Sequence, residues 1–437
     1  MDVWFDSGAM PFAQDHYPFE NRDWLDGPGY PADYICEGVD QTRGWFYTLH
    51  AIGVALGRGK AYRNVISVGH ILDKEGKKMS KSLGNIVDPW QMMARYGVDV
   101  VRMYMYSINQ PGMPKLFDEA HLKELERNFF NLVENTLNFY ILYRHSNDDG
   151  EAPSGEPHIL DAWLASRTSA LEARVRASLD DYKVFEAARE VLSYAEDLSR
   201  WYVRRSRNRM RGLAGDEAHQ TASRALRDAL HTFARIVAPF APFLAEHIFV
   251  AVRSANDPDS VHLTEWPRVA PPDTTILERM EAARAIVSEA LRQRDQAGIR
   301  VRQPLAKIVL SEDPMGIATD EALAREVREE VNVLALEVDP NASDAVVLDT
   351  TITDELRAMG WVREAQRLIQ EARKKAGMTP KEEANVVLAA APQALSALAA
   401  RRDDLAQAVR ARELSITQDE SLAQCDPPVR VVAIETA

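Results

Sequence analysis

GKKMSKSLGN, residues 76–85, sets two lysines three positions apart, Lys78 and Lys81, among serines and between Gly76 and Gly84. Upstream, NVISVGHIL (64–72) is apolar enough for a buried strand. Downstream, DPWQMMARYG (88–97) offers Asp88 as an N-cap and Pro89 at the first helical position, so a helix is predicted there. The lysines therefore fall on a strand-to-helix connection, where α/β folds place ligand-binding loops. Lysine is a compact, rotatable cation suited to phosphate oxygens, and flanking glycines let a loop approach a ligand closely. A solvated charged loop is the competing reading, because short motifs match by chance.

The rest of the chain bears on what anion such a loop would meet. It has 437 residues, 46% of them hydrophobic, which is too long for one ordinary core and predicts two or three domains. Lys and Arg number 52 against 66 Asp and Glu, for a formal charge of -14. That balance excludes a generally basic nucleic-acid coat and leaves only local basic faces. Cys36 and Cys425 are the two cysteines, which excludes a disulfide framework and a cysteine-rich zinc site and suits a reducing compartment. No stretch is apolar enough to span a bilayer and the N-terminus does not read as a signal peptide, so no membrane partner and a cytoplasmic location are expected.

Texture divides the chain in three. Residues 1–117 alternate short apolar runs such as DYICEG with helical stretches, which suggests α/β structure. Residues 118–270 carry helical periodicity in HLKELERNFFNLVENTLNFYILY, FEAAREVLSYAEDLSRWYVRR and ALRDALHTFARIVAPFAPFLAEHIFVAV. After the linker-like EWPRVAPPD, residues 271–437 mix helices with strands predicted at AKIVL, VLALEV, ANVVLAA and VRVVAI. The longest helix of that region is predicted from about Thr353 to Lys375, and no internal repeat is legible.

Lys78-Met79-Ser80-Lys81-Ser82 resembles the second signature of class I aminoacyl-tRNA synthetases. DVWFDSGAMPFAQ (2–14) and EGVDQTRGWFYTL (37–49) resemble isoleucyl-tRNA synthetases in particular. The likeness continues through DLSRWYVRRSR, VAPFAPFLAEHIF, AGIRVRQPL and REEVNVLALEV, and so covers essentially the whole chain.

The resemblance implies a fold: the second half of a Rossmann-like catalytic domain (1–117), an α-helical anticodon-binding domain (118–270) and a small mixed α+β domain (271–437). It also implies roles. Lys78 and Lys81 would stabilise the phosphates of ATP while the amino acid carboxylate attacks, with Met79, Ser80 and Ser82 completing the ATP loop. Glu37 and Gly38 would place the aminoacyl-adenylate, and Asp40 and Gln41 its ribose. Asp40 alone also reads as a cap for the following helix. Trp4 and Trp45 would line the isoleucine pocket, although single tryptophans are ordinarily core residues. An apolar pocket rejects larger side chains well and one shorter by a methylene poorly. Gly69 and His70 stand where many members carry His-Gly, in reversed order, and a nucleotide role for His70 is the expectation there.

Arg200, Arg204, Arg205, Arg207, Arg209 and Arg211 crowd RWYVRRSRNRMR on an otherwise acidic chain. Such clustering suits phosphate binding, and the resemblance places tRNA there; arginine stems packed in a helical bundle are the alternative. The partners implied are isoleucine, tRNA-Ile and ATP with Mg2+, with no zinc expected.

No histidine is followed by the Gly-His that would complete a His-x-Gly-His signature, and no editing insertion is present. The chain is therefore expected to be a C-terminal portion that begins inside the catalytic fold, needs the missing N-terminal half as a partner and is inactive alone. A non-catalytic, tRNA-binding split relative is the alternative.

Overall fold

ADYICEG forms strand β1 (Ala32–Gly38) and YRNVISV forms β2 (Tyr62–Val68) in a computed structural model that describes residues 2–80, 82, 84–148, 157–379 and 382–436. The two strands are parallel, in register from Ala32 opposite Tyr62 to Gly38 opposite Val68. A parallel pair needs a crossover. It is supplied by a 3-10 turn, Val39–Arg43, and the helix Trp45–Ala55. Phe12, Leu25, Tyr30, Ile35, Phe46 and Leu49 are buried together beneath this unit.

NVISVGHIL is not the single buried strand its composition predicts. β2 stops at Val68, and β3 (Ile71–Leu72) resumes after Gly69, whose amide donates to the Pro111 carbonyl at 2.9 Å. A side chain at Gly69 would run into the backbone of Met113, so the break requires glycine. β3 pairs in parallel with β4 (Lys115–Leu116). Arg63, Asn64 and Val65 of β2 are exposed, because among the described residues β2 pairs only with β1.

Asp88 caps the helix Pro89–Tyr96 as its sequence predicts, accepting from the Trp90 amide at 2.9 Å. This helix and Val98–Ser107 bury Met92, Tyr96, Val100 and Tyr104 against Phe117 and Leu122, and Met79 of the lysine loop packs on that cluster.

Long helices follow: Asn131–Tyr143, Ile159–Asp180, Val184–Glu196, Asp216–Val237 and Pro242–Val252. π-helical turns at Glu126–Phe130 and Asp197–Val203 interrupt two of the runs, the second leading into Arg204–Met210. Val191, Tyr194, Leu226, Phe233, Ile248 and Phe249 are wholly buried in this bundle. Asp99 joins the bundle to what precedes it: its carboxylate accepts from the Leu244 amide at 2.7 Å, at the start of Pro242–Val252. Among the described residues no helix is long and apolar enough to cross a membrane.

These elements make up one compact unit, Met1–Asp273; a second comprises Thr274–Ala437. Its helix Thr274–Gln296 has 23 residues and Asp354–Lys375 has 22, so the helix capped by Thr353 is not the longest. One three-stranded sheet has the order β6 (Val333–Val338), β5 (Leu305–Leu310), β7 (Val346–Leu348). The other has the order β10 (Val429–Thr436), β8 (Ala384–Ala390), β9 (Ala411–Gln418).

The two sheets repeat one plan, although no repeat is legible in the sequence. In each, a long helix leads to a central strand, a helical crossover returns a parallel neighbour, and the third strand closes antiparallel on the other side. Arg294, buried near the end of the first long helix, donates to the carbonyls of Arg300 and Gln303; Arg373, equally placed in the second, donates to those of Thr379 and Glu382. Gly298 and Gly377 follow with φ of 67° and 74°. The left-handed Asn332 and Arg410 end the two crossovers, and their carbonyls accept from the Leu305 and Ala384 amides, 3.1 Å in each case. The side chains between these anchors differ, which hides the repeat from inspection of sequence.

Candidate active site

Parallel pairing puts the C-terminal ends of β1 and β2 on one edge, since Gly38 lies opposite Val68. Glu37 and Gly38 end one strand; Gly69 and His70 follow the other and lead through β3 into the lysine loop. This edge is where open α/β sheets bind ligands. Glu37, Asp40 and His70 are exposed, and Gly38 and Gln41 partly so.

Asp40 does not cap the following helix. Gln41 does so: its Oε1 accepts from the Trp45 amide at 3.0 Å, and its Nε2 donates to Asp40 Oδ2 at 2.9 Å. The Asp40 carboxylate is thereby oriented at the strand end, with its remaining acceptor positions open to polar groups. Trp45 Nε1 donates to the Ser7 carbonyl at 3.2 Å, which fixes the indole, and the Trp4 ring lies against Gly44. Trp4 is 46% exposed and so is not a core residue. Trp4, Gln41 and Trp45 are thus brought together beside Asp40.

The lysine loop is braced from below. Leu72 bridges Lys78 in antiparallel fashion, and Asp73, only 8% exposed, accepts from the Lys77 and Glu75 amides at 2.7 and 3.1 Å. A hydrogen bond from Asn85 is the main cause holding the Asp73 carboxyl below its ordinary pKa, with the loop amides adding to it. Ser80 and Ser82 hydroxyls lie 3.1 Å apart, and the Lys78 side chain faces solvent. Lys81 lies outside the described residues. Asp73 and Asn85 escape notice in the sequence; an Asx residue three before Gly76 and another just after Gly84 are the signals that could have found them.

The arginine run does not present one face. Arg204 and Arg207 are exposed, Arg205 and Arg211 half-buried, and Arg200 pairs with Glu196 at 3.4 Å. Arg209 corrects the expectation of a phosphate contact. It is buried, with its two terminal nitrogens on the two oxygens of Asp161 at 2.7 and 2.8 Å and a further bond to Ser206. Tyr202 donates to the same Asp161 at 2.7 Å, and burial pushes its hydroxyl well above the ordinary pKa. Trp201 and Tyr202 pack inside the bundle, as do Phe240, Ala245 and Phe249 of VAPFAPFLAEHIF.

Among the described residues, His145, Asp216 and His219 are the one acid and imidazole group that could hold a metal. Three of their four imidazole nitrogens already have partners. His145 Nδ1 lies 3.1 Å from the Asn147 amide, its Nε2 3.2 Å from Asp216, and His219 Nε2 2.6 Å from the Tyr143 carbonyl. An imidazole whose Nδ1 accepts a main-chain proton keeps its own on Nε2, so His145 acts here as a donor.

A family model described as "tRNA synthetases class I (I, L, M and V)" matches residues 1–113, and one described as "Anticodon-binding domain of tRNA ligase" matches residues 161–310. The isoleucine--tRNA ligase of Dehalococcoides mccartyi is 39% identical over 407 residues, covering 86% of this chain and 40% of the relative. That of Thermobifida fusca is 37% identical over 371 residues, covering 82% and 34%, and that of Clostridium novyi 40% over 319, covering 71% and 31%. The chain thus spans between about a third and two fifths of these relatives' lengths. In fold it resembles Mycobacterium tuberculosis methionyl-tRNA synthetase in complex with methionyl-adenylate, with a TM-score of 0.52 at 24% identity over 62% of this chain and 55% of that one. A catalytic-fold segment with its lysine signature, an anticodon-binding segment and relatives of one name place the chain in the isoleucyl-tRNA synthetase family of class I.

Proposed function

We propose that the chain takes part in activating isoleucine with ATP and transferring it to tRNA-Ile. The observation that carries this reading is the meeting of Glu37, Gly38, Asp40, Gln41, Trp4 and Trp45 at the β1 end, on the same sheet edge that issues into the lysine loop. In this reading Trp4 and Trp45 form apolar walls for the isoleucine side chain. Glu37 and Gly38 place the adenylate, while Asp40, oriented by Gln41, accepts from ribose hydroxyls. The carboxylate of isoleucine attacks the α-phosphorus, pyrophosphate leaves, and Lys78 and Lys81 offset the charge that develops on the polyphosphate. The terminal ribose hydroxyl of the tRNA then takes the acyl group and releases AMP. Magnesium enters with the ATP substrate and not on a dedicated protein cluster.

Residues 1–117 then serve catalysis, 118–270 grip the tRNA and 271–437 support that grip. Val3, Phe5, Tyr47 and Val65, all exposed near the β1–β2 unit, supply an apolar surface for a complementary catalytic segment carrying the histidine signature. The 437-residue chain alone is expected to give no isoleucine-dependent exchange of pyrophosphate into ATP. Exchange is expected on addition of a polypeptide that carries His-x-Gly-His from an isoleucine--tRNA ligase. Exchange by the pure chain alone, or none after addition, counts against this division of labour.

For the tRNA grip, Arg204→Gln, Arg207→Gln and Arg211→Gln together are expected to weaken tRNA binding. The slope of log K against log salt should flatten by roughly 0.7 to 0.9 for each phosphate that is no longer neutralised. An unaltered slope in a filter-binding titration removes these residues from the interface.

A further inference from the structure

Asn85 uses its whole side-chain amide on the lysine loop. Its Oδ1 accepts from the Ser80 amide at 2.9 Å, and its Nδ2 donates to Asp73 Oδ2 at 2.7 Å and lies 3.3 Å from the Lys78 carbonyl. Asp73 closes the circuit with its other oxygen on the Lys77 and Glu75 amides. The main chain of Asp73 takes part too, donating to the Lys77 carbonyl at 3.0 Å and accepting from Gly76 at 2.9 Å. Two side chains, one before the loop and one after it, thus hold its backbone at residues 75, 77, 78 and 80. Asp73 is buried, and its carboxylate makes charge-assisted bonds, the stronger kind. Met79, packed on the buried cluster that includes Met92 and Tyr96, pins the same segment from its apolar side.

We propose that Asp73 and Asn85 form a latch that sets the backbone carrying Lys78 before ATP arrives, which makes both of them positioning residues for its phosphate contact. This rests on the ATP-activating reading of the loop and adds to it the residues that prepare the loop. A lysine side chain has four rotatable bonds, so the protein fixes its reach chiefly by fixing its backbone. Preparing that backbone in advance leaves less ordering to be done when the ligand binds. Neither latch residue touches substrate in this scheme.

The test is amide exchange of the full chain, supplied with the histidine-bearing segment and read at residues 74–80, with and without magnesium ATP. Asn85→Ala is expected to speed exchange at the Lys77 and Ser80 amides roughly tenfold to a hundredfold, the range spanned by loss of hydrogen bonds to a charged group. The melting temperature and the exchange of the helices should stay unchanged. Asn85→Asp should loosen the loop at least as much, since it sets carboxylate against carboxylate. The exchanged pair Asp73→Asn with Asn85→Asp restores an amide-to-carboxylate bond and should recover part of the protection, which a residue of merely structural bulk would not. Unchanged exchange in Asn85→Ala, or no recovery in the exchanged pair, overturns the latch. If the latch variants loosen the loop but magnesium ATP leaves wild-type exchange untouched, the ATP role is overturned and the latch alone stands.

Discussion

Replacing Lys78 with alanine is expected to lower isoleucine-dependent pyrophosphate exchange roughly a hundredfold to a thousandfold, once the chain is supplied with the histidine-bearing segment. That range is the usual cost of removing one preorganised group that meets charge as it develops. The effect should fall on the rate and leave the affinity for tRNA nearly intact, because the loop and the arginine-bearing helix belong to different elements of the unit. Lys81→Ala is expected to behave alike. Lys78→Arg should recover little, since a planar guanidinium on a backbone fixed by the Leu72 bridge cannot put its charge where an ammonium did. An unchanged exchange rate in Lys78→Ala removes the residue from the mechanism.

Asp161→Ala is expected to destabilise the first unit by about 3 to 5 kcal/mol, the usual cost of leaving one partner of a buried ion pair alone. The loss is that large because Asp161 meets both terminal nitrogens of Arg209 and also the Tyr202 hydroxyl, all of them buried. In a unit of this size each kcal/mol moves the thermal midpoint by about 2 to 4 °C, so a fall of roughly 6 to 20 °C should appear by calorimetry. Asp161→Leu with Arg209→Met should recover much of it, since an apolar pair of similar volume escapes the desolvation cost. A shift below about 2 °C for Asp161→Ala shows that the pair is solvated. The same experiment separates Arg209 from its exposed neighbours Arg204 and Arg207, whose loss should leave stability within about 0.5 kcal/mol.

How much of this could be read beforehand follows the distance over which each interaction acts. Asp88 with Pro89 announces a helix because capping is settled within three residues, and β1 announces itself by its own apolar run. The lysine signature and the tryptophan-bearing blocks are local words, legible without the fold; the structure places Trp4, Gln41 and Trp45 beside Asp40 at the end of β1. The split of NVISVGHIL depends on Pro111 and Met113, far along the chain, and β3 and β4 have only two residues each. β7 is equally silent for its brevity, and β9 carries the strand period only at Leu414 and Ile416 among polar neighbours, too short a run to announce it. The fate of Arg209 is decided by Asp161, 48 positions away, and no property of RRSRNRMR distinguishes it from the arginines beside it.

The doubled plan of the second unit shows what a topology asks of its sequence. Both halves spend their agreement on a guanidinium that reaches carbonyls past a helix end, a glycine that turns the chain, and a left-handed residue that hands a carbonyl to the central strand. Everything between is free to be filled by whatever apolar side chains fit, so the kinship of the halves survives as grammar after the vocabulary has changed. A search for such kinship succeeds when it compares which main-chain groups are answered, and by what, in preference to which letters recur.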